Sequence, residues 1–379
     1  MKKLAIIGAS YLQEPLITKA KKRGIETHVF AWAANDVGEK IADYFYPISI
    51  VEKDEILNKC REIGIDGICS IASDLAMVTV NYVAERMGLT ANSVASTEKS
   101  TNKHIMRLAF EAAGDPSPKS IVVDADTDIS SLNLDYPIIV KPTDRSGSRG
   151  IFKLNNGAGL KSAIDNAIQL SFEKKALVEE FAEGREYSVE YVSFRGEHKF
   201  LAITQKYTTN APRFIETGHL QPALLDDECV NRVKAVISHA LDTLGIKYGA
   251  SHSEVKIDDA GNIKIIEIGG RMGGDFIGSN LVELSTGFDF VSAVISIALG
   301  EKPKMFDNST IKNVGAAAVR FIFSDADVCV YERLKHEHPD FLISSEVHPC
   351  EGEVTDSSTR FGYFLMKANN TKDLLSYLT

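Results

Sequence analysis

At 379 residues the chain exceeds one ordinary domain and points to two or three, at roughly 150 residues each. A composition 44% hydrophobic and 25% charged, with 27 Gly and 11 Pro, excludes wholesale disorder, collagen-like repeats and coiled coil. The excess of 52 Asp+Glu over 42 Lys+Arg, net −10, argues against a surface that coats nucleic acid or anionic membrane and leaves small-molecule chemistry as the first expectation.

The apolar run after Met1-Lys2-Lys3 stops after four residues, too short for the core of a secretion signal, and no stretch approaches the ~18 apolar residues of a membrane span. Residues 3–7 read as a buried strand, followed by an amphipathic helix over 12–23 that closes on Gly24. Strands at 27–31 and 67–71 alternate with helices at 55–63 and 73–87, which predicts a parallel α/β sheet. The first turn, Gly8-Ala9-Ser10-Tyr11-Leu12-Gln13, lacks the full dinucleotide fingerprint. Thr101 is expected to cap a helix over 102–113, and Asp115-Pro116-Ser117-Pro118 to mark a domain boundary. A strand at 137–142, a Gly/Ser loop at 143–150, a helix near 159–170 and strands at 176–181, 186–194 and 199–206 follow. Residues 226–244 predict a strongly amphipathic helix ending on Gly245. The five cysteines are scattered without a C-x-x-C pair, as expected of reduced thiols in a cytoplasmic protein, and His336 and His338 read as surface.

The chemistry concentrates between Ser251 and Asp275. His252, Glu254 and Lys256 alternate on one face of a strand, residues 258–262 form a turn, and Ile263, Ile265, Glu267 and Gly269 alternate on the return. With a four-residue loop at 259–262, Asp258 faces Ile263 and Glu254 faces Glu267. Like charges across a ladder are destabilising unless neutralised, and a hard divalent cation held by both carboxylates would neutralise them. The alternative is a solvated hairpin face, or a register slipped by one residue that separates the pair. The run Gly269-Gly270-Arg271-Met272-Gly273-Gly274 lets backbone approach a ligand closely, with Arg271 placed to hold an anion or, alternatively, to cap carbonyls. Lys141 at the mouth of an apolar strand, ahead of the loop Thr143–Gly150, suits phosphate binding, although a lysine that only reaches for solvent fits as well. The Walker pattern is absent.

In this order the segments resemble the ATP-grasp superfamily of carboxylate–amine ligases over nearly the whole chain. The resemblance implies an α/β ATP-grasp fold with a Rossmann-like parallel domain (1–100), a small nucleotide lobe (101–182) and a larger antiparallel C-terminal lobe (183–379), whose residues 310–379 form a substrate-side subdomain. Asn102-Lys103 with Met106 and Arg107 looks like the family's DK…M segment, which makes Lys103 a phosphate ligand beside Lys141. Ser146, Gly147, Ser148, Arg149 and Gly150 match the phosphate loop, expected to close over the site. Val178-Glu179-Glu180-Phe181-Ala182 resembles the adenine hinge, with Glu179 near the exocyclic amine, and Glu186 matches the ribose carboxylate. Glu254 and Glu267 match the metal ligands and Arg271 the arginine on the acyl phosphate. Phe214-Ile215-Glu216-Thr217-Gly218-His219 is most similar to L-amino acid (dipeptide) ligases of the bacilysin-synthetase type, with Glu216 facing an ammonium group, His219 a candidate base, and Lys206 a further nucleotide contact. Asn102 stands where the superfamily usually has Asp, and Gly269 where it often has a metal-binding Asn.

The implied activity is ATP-dependent C–N bond formation through an acyl phosphate, with ATP as co-substrate, two Mg²⁺ or Mn²⁺ ions, a small carboxylate (an amino acid) and an amine. No nucleic-acid or membrane partner is expected, and a homodimer is compatible. Two alternatives stand beside it. One is a purine-pathway, carbamoyl-phosphate or biotin-carboxylase-like enzyme, and the other a non-catalytic ATP-binding regulatory module.

Overall fold

The computed structural model describes residues 1–145, 150–209, 214–307 and 311–378. Three sheets organise them. The alternating strands and helices of the first 90 residues give a four-stranded parallel sheet, ordered Tyr44–Tyr46, Glu26–Phe30, Lys3–Ile7, Gly67–Cys69. Its central strand is buried from Leu4 to Ile7, as a strand covered on both faces must be. The last strand stops at Cys69, two residues earlier than expected, because the chain turns sharply at Ala72, whose φ is +59°. Ser73 then caps the helix Asp74–Met87 by accepting from the Ala76 amide at 3.2 Å.

A helix not predicted from sequence, Val94–Thr101, precedes Lys103–Ala113. Thr101 therefore ends one helix instead of starting the next. Asn102 is the cap, accepting from the His104 and Ile105 amides at 3.0 and 3.1 Å. An amide oxygen performs this task as a carboxylate would, so the departure from Asp leaves the helix start intact.

The second sheet is four-stranded and antiparallel, ordered Ser120–Val123, Ala176–Glu180, Ile138–Pro142, Phe152–Leu154. The third has eight antiparallel strands, ordered Ile263–Gly269, Tyr248–Ile257, Arg185–Phe194, Glu197–Thr208, Glu216–Gln221, Ala316–Phe321, Gly362–Ala368, Leu342–Val347. The hairpin at Arg195-Gly196 turns with both residues at positive φ, +56° and +82°. The helix Asp227–Leu244 covers one face of the sheet, burying Val233, Ile237, Leu241 and Leu244. The strands beyond residue 315 extend this same sheet through the pairing of Ala316–Phe321 with Glu216–Gln221. One apolar cluster joins Leu4, Ile6 and Val29 of the parallel sheet to Val192, Phe290, Val294 and Ile297, so the parallel sheet docks firmly on the large one. No helix among the described residues is long and apolar enough to cross a membrane.

Candidate active site

Residues from all three sheets and their connections line a cavity of about 320 Å³. Its floor is one face of the large sheet. Alternation along Tyr248–Ile257 puts His252, Glu254 and Lys256 side by side, and the neighbouring strand sets Glu190, Ser188 and Glu186 opposite them. Lys206 and His219 pair across the next two strands.

Glu254 does lie directly opposite Glu267, by a route the sequence did not disclose. At the turn Ile257 faces Ile263, one residue out of the expected register, because the loop between Asp258 and Asn262 holds three residues, not four. A bulge then inserts Ile266 as an unpaired residue and restores the carboxylate pair. Without it, Glu254 would face Ile266 and Glu267 would point to the other side of the sheet. The bulged Ile266 carbonyl accepts from Arg107 Nη2 at 2.7 Å, which satisfies a group the ladder leaves open.

At one end of the cavity every charge has a partner. Lys103 Nζ donates to Glu267 Oε1 at 2.8 Å and to the Arg145 carbonyl at 2.7 Å. Lys141 ion-pairs with Glu179 in a short contact, and Arg107 Nε donates to the other Glu179 oxygen at 3.1 Å. Burial alone would push the Glu179 carboxyl up, but Arg107 and Lys141 together hold it below the ordinary value. Both Glu179 oxygens are thus engaged with cations, so its side chain positions Lys141, whereas the sequence expectation was a place near an adenine amine. Phe181 and Ala182 line the cavity beside it, with Lys153 Nζ 3.5 Å and Lys256 Nζ 4.8 Å from the Phe181 ring centre. Ser146, Gly147, Ser148 and Arg149 lie outside the described residues. Gly150 does not line the cavity; a side chain there would meet Leu170 and Pro142.

Lys206 is the hub between the two ends. Its buried ammonium lies 2.5 Å from Glu186, 2.8 Å from Glu254 and 3.7 Å from Glu216. Burial opposes its charge, yet the three carboxylates hold its pKa well above the ordinary lysine value. Burial likewise opposes ionisation of Glu254, and Lys206 and His252 hold that carboxyl well below its ordinary range.

The other end is less complete. His219 is 1% exposed, and neither ring nitrogen has a hydrogen-bond partner among the described residues. Burial, reinforced by Lys206 and Arg360, keeps its pKa well below 6.5, so the imidazole is neutral. Burial and the nearby Asp275 raise Glu216 against the pull of Lys206 and Arg360. Arg360 bridges Glu216 at 3.1 Å and Asp275 at 2.8 Å, with its guanidinium 3.7 Å from the Phe321 ring centre. Asp275 and Phe276 both sit at positive φ, +47° and +66°, a strained backbone at the cavity wall. Between the two ends, Arg271 donates from Nε and Nη2 to the two oxygens of Asp74, each at 2.9 Å.

A family model for the ATP-grasp domain matches residues 134–279, the stretch that carries Lys141, Glu186, Lys206, Glu254, Glu267 and Arg271. Residues 134–279 thus form an ATP-grasp domain. Alanine–anticapsin ligase of Bacillus subtilis is 28% identical over 275 residues, covering 63% of this chain and 58% of that protein. Carnosine synthase 1 of Mus musculus is 24% identical over 340 residues, covering 80% of this chain and 40% of that protein. The chain thus spans less than two thirds of the length of these relatives, one named a ligase and the other a synthase. The solved structure of an L-amino acid ligase from Bacillus licheniformis superposes with a TM-score of 0.85 at 22% identity, over 100% of this chain and 96% of that one, and shows the ATP-grasp fold.

The predicted residues Lys103, Lys141, Glu179, Phe181, Ala182, Glu186, Lys206, Glu216, His219, Glu254, Glu267 and Arg271 all line the cavity. Arg107, Glu190, His252, Asp74 and Arg360 take part without having been predicted as site residues. Arg107 had a detectable signal, since it follows Lys103 by four residues on one helix and so shares its face. Glu190 did too: it alternates with Glu186 and pairs with His252 in a short contact, while its other oxygen accepts from the Gly273 amide at 3.1 Å. Burial works against a charged His252, but Glu190 carries its pKa up to about 9. Asp74 and Arg360 had no local signal, because their partners lie 197 and 144 residues away.

Proposed function

We propose that the protein is an ATP-dependent ligase that activates a small carboxylate, an amino acid, as its acyl phosphate and joins it to an amine. The reading is carried by the facing pair Glu254 and Glu267, set in one cavity with Lys103, Lys141 and Arg271. The relatives' names, which join alanine to anticapsin or make carnosine, support the same class. Three lobes, 1–100, 101–182 and 183–379, are the division we propose, with 310–379 on the substrate side.

The two carboxylates suit a hard divalent cation. Their oxygens are hard donors, and the two acids face each other with Lys103 on Glu267 and with Lys206 and His252 on Glu254. Among the described residues no third His, Cys, Asp or Glu joins them in a metal-binding group, so triphosphate oxygens would complete the shell. Mg²⁺ or Mn²⁺ bound there supplies charge neutralisation to the triphosphate; two ions is the stoichiometry we propose.

Phosphoryl transfer needs positioning and charge balance more than covalent help. Lys103 and Lys141 turn to phosphate oxygens from positions set by Glu267 and Glu179. Glu186 takes the ribose hydroxyls, and Phe181 and Ala182 flank the adenine. Arg271 holds the anion on the acyl carbon side and stabilises the oxyanion that forms when the amine attacks. Glu216 receives the substrate ammonium. The neutral His219 offers a ring nitrogen to the amine proton, consistent with its having no other partner among the described residues. We place the enzyme in the cytoplasm, with no nucleic-acid or membrane partner and with a homodimer as a compatible assembly.

The test is phosphate release from Mg·ATP across a panel of single and paired amino acids, with product mass from a mixed incubation. Release that depends on a carboxylate–amine pair supports the reading; a panel with no stimulated pair rejects it and favours a binding module.

A further inference from the structure

Arg271 is held by a residue from the other side of the molecule. Asp74 opens the helix Asp74–Met87 of the N-terminal α/β region, and its two oxygens take the Nε and Nη2 hydrogens of Arg271 at 2.9 Å each. Both side chains are largely buried, 13% and 15% exposed. The backbone reinforces the contact: Ala72, at φ +59°, donates its amide to the Met272 carbonyl at 3.2 Å, and Arg271 Nη1 donates to that same carbonyl at 3.3 Å. Gly269 leaves the space this needs, since a Cβ there would lie 2.6 Å from Asp74 Oδ1 and 3.2 Å from Arg271 Nε.

A guanidinium has five N–H groups in a fixed fork. Nε and one hydrogen of Nη2 go to Asp74, and one hydrogen of Nη1 goes to Met272. The end-on edge, with one hydrogen on each terminal nitrogen, is left for a second oxyanion. A flexible arginine is thereby reduced to one orientation, with one edge committed to protein and the other open to the cavity that both residues line.

We infer that Asp74 is a positioning residue for Arg271, through which docking of the N-terminal region sets the geometry of the reacting anion. The inference rests on the reading of Arg271 given above. The experiment uses the full chain and measures amine-dependent phosphate release with the most active amino acid pair, alongside ATP affinity by nucleotide titration. Asp74→Asn is expected to lower kcat by about 10- to 100-fold while KM for ATP moves less than about twofold, as for a misplaced group remote from the nucleotide. Asp74→Glu is expected to recover part of that loss. The double variant Asp74→Asn/Arg271→Ala is expected to be no slower than Arg271→Ala alone, because residues acting as a unit are not additive. Gly269→Ala, which displaces the Asp74 carboxylate without changing charge, is expected to reproduce the kcat loss should Asp74→Asn fold poorly. Parental turnover in Asp74→Asn or Gly269→Ala, or a double variant slower by the product of the single effects, overturns the inference while leaving Arg271 in place. An Arg271→Ala protein with parental turnover overturns the Arg271 reading and this inference together.

Discussion

The two ends of the cavity are built on different principles. At the Lys103–Lys141 end, each buried charge is matched inside the protein: Lys141 and Arg107 share Glu179, and Lys103 takes Glu267. At the Glu216–His219 end, the same sheet carries an imidazole whose two nitrogens have no hydrogen-bond partner among the described residues. A raised glutamate and two residues at positive φ stand beside them. Buried polar groups are normally paired, and unpaired ones with strained backbone collect where a ligand completes the site. The comparison teaches that the first end is charge-matched by the fold, whereas the second keeps an imidazole that no described residue pairs.

This contrast can be broken in several ways. The largest effect is expected from Glu267→Gln, which removes a charge from the facing pair and should cut turnover on the order of 100- to 1,000-fold. Its circular dichroism and melting temperature should stay near the parent, because the carboxylate lies at the cavity surface; loss of folding would assign Glu267 a structural role instead. Next is Glu179→Ala, which strands Lys141 and Arg107 as buried unpaired cations. A cost of about 3–5 kcal/mol in urea unfolding is expected, and an unchanged midpoint would show that the first end is not held by this triad.

His219→Leu should behave in the opposite way. Removing two nitrogens that no described residue satisfies leaves stability unchanged or higher, while amine-dependent turnover falls by about tenfold or more. The pH dependence of unfolding separates the two states of this residue. An unfolded chain with an ordinary imidazole pKa of 6.5 binds a proton that the folded chain refuses, so the His219 contribution to stability is intact above about 6.5 and is lost as pH falls below it. The stability difference between parent and His219→Leu should therefore be constant above about pH 6.5 and widen in acid, with the variant the less acid-sensitive. The smallest effect is expected from Glu186→Ala, a loss of ATP affinity of about tenfold, the worth of one charged hydrogen bond. An unchanged nucleotide titration would remove Glu186 from the ribose contact.

The legible part of the site lies on single elements. Alternation by two placed His252, Glu254 and Lys256 on one face, and a four-residue step on the helix Lys103–Ala113 puts Arg107 beside Lys103. The turn was only approximately legible. A three-residue loop shifted the register by one, and the bulge at Ile266 shifted it back, so the facing acids emerged from two displacements that cancel. The helix Val94–Thr101 escaped because its polar Ser/Thr-rich run carries a weak apolar face.

Composition and charge by themselves directed attention to a small-molecule enzyme, and local periodicity determined which acids and lysines share a strand face. Those features depend on backbone repeats that operate within a few residues. Only tertiary structure decided that Asp74 holds Arg271, that Arg360 closes on Glu216 and Asp275, and that Glu179 is bound to two cations. Each of these pairings depends on how separate elements dock, through contacts such as the shared apolar cluster beneath the parallel sheet. No repeat in the chain encodes such docking, because it is selected by packing over the whole molecule.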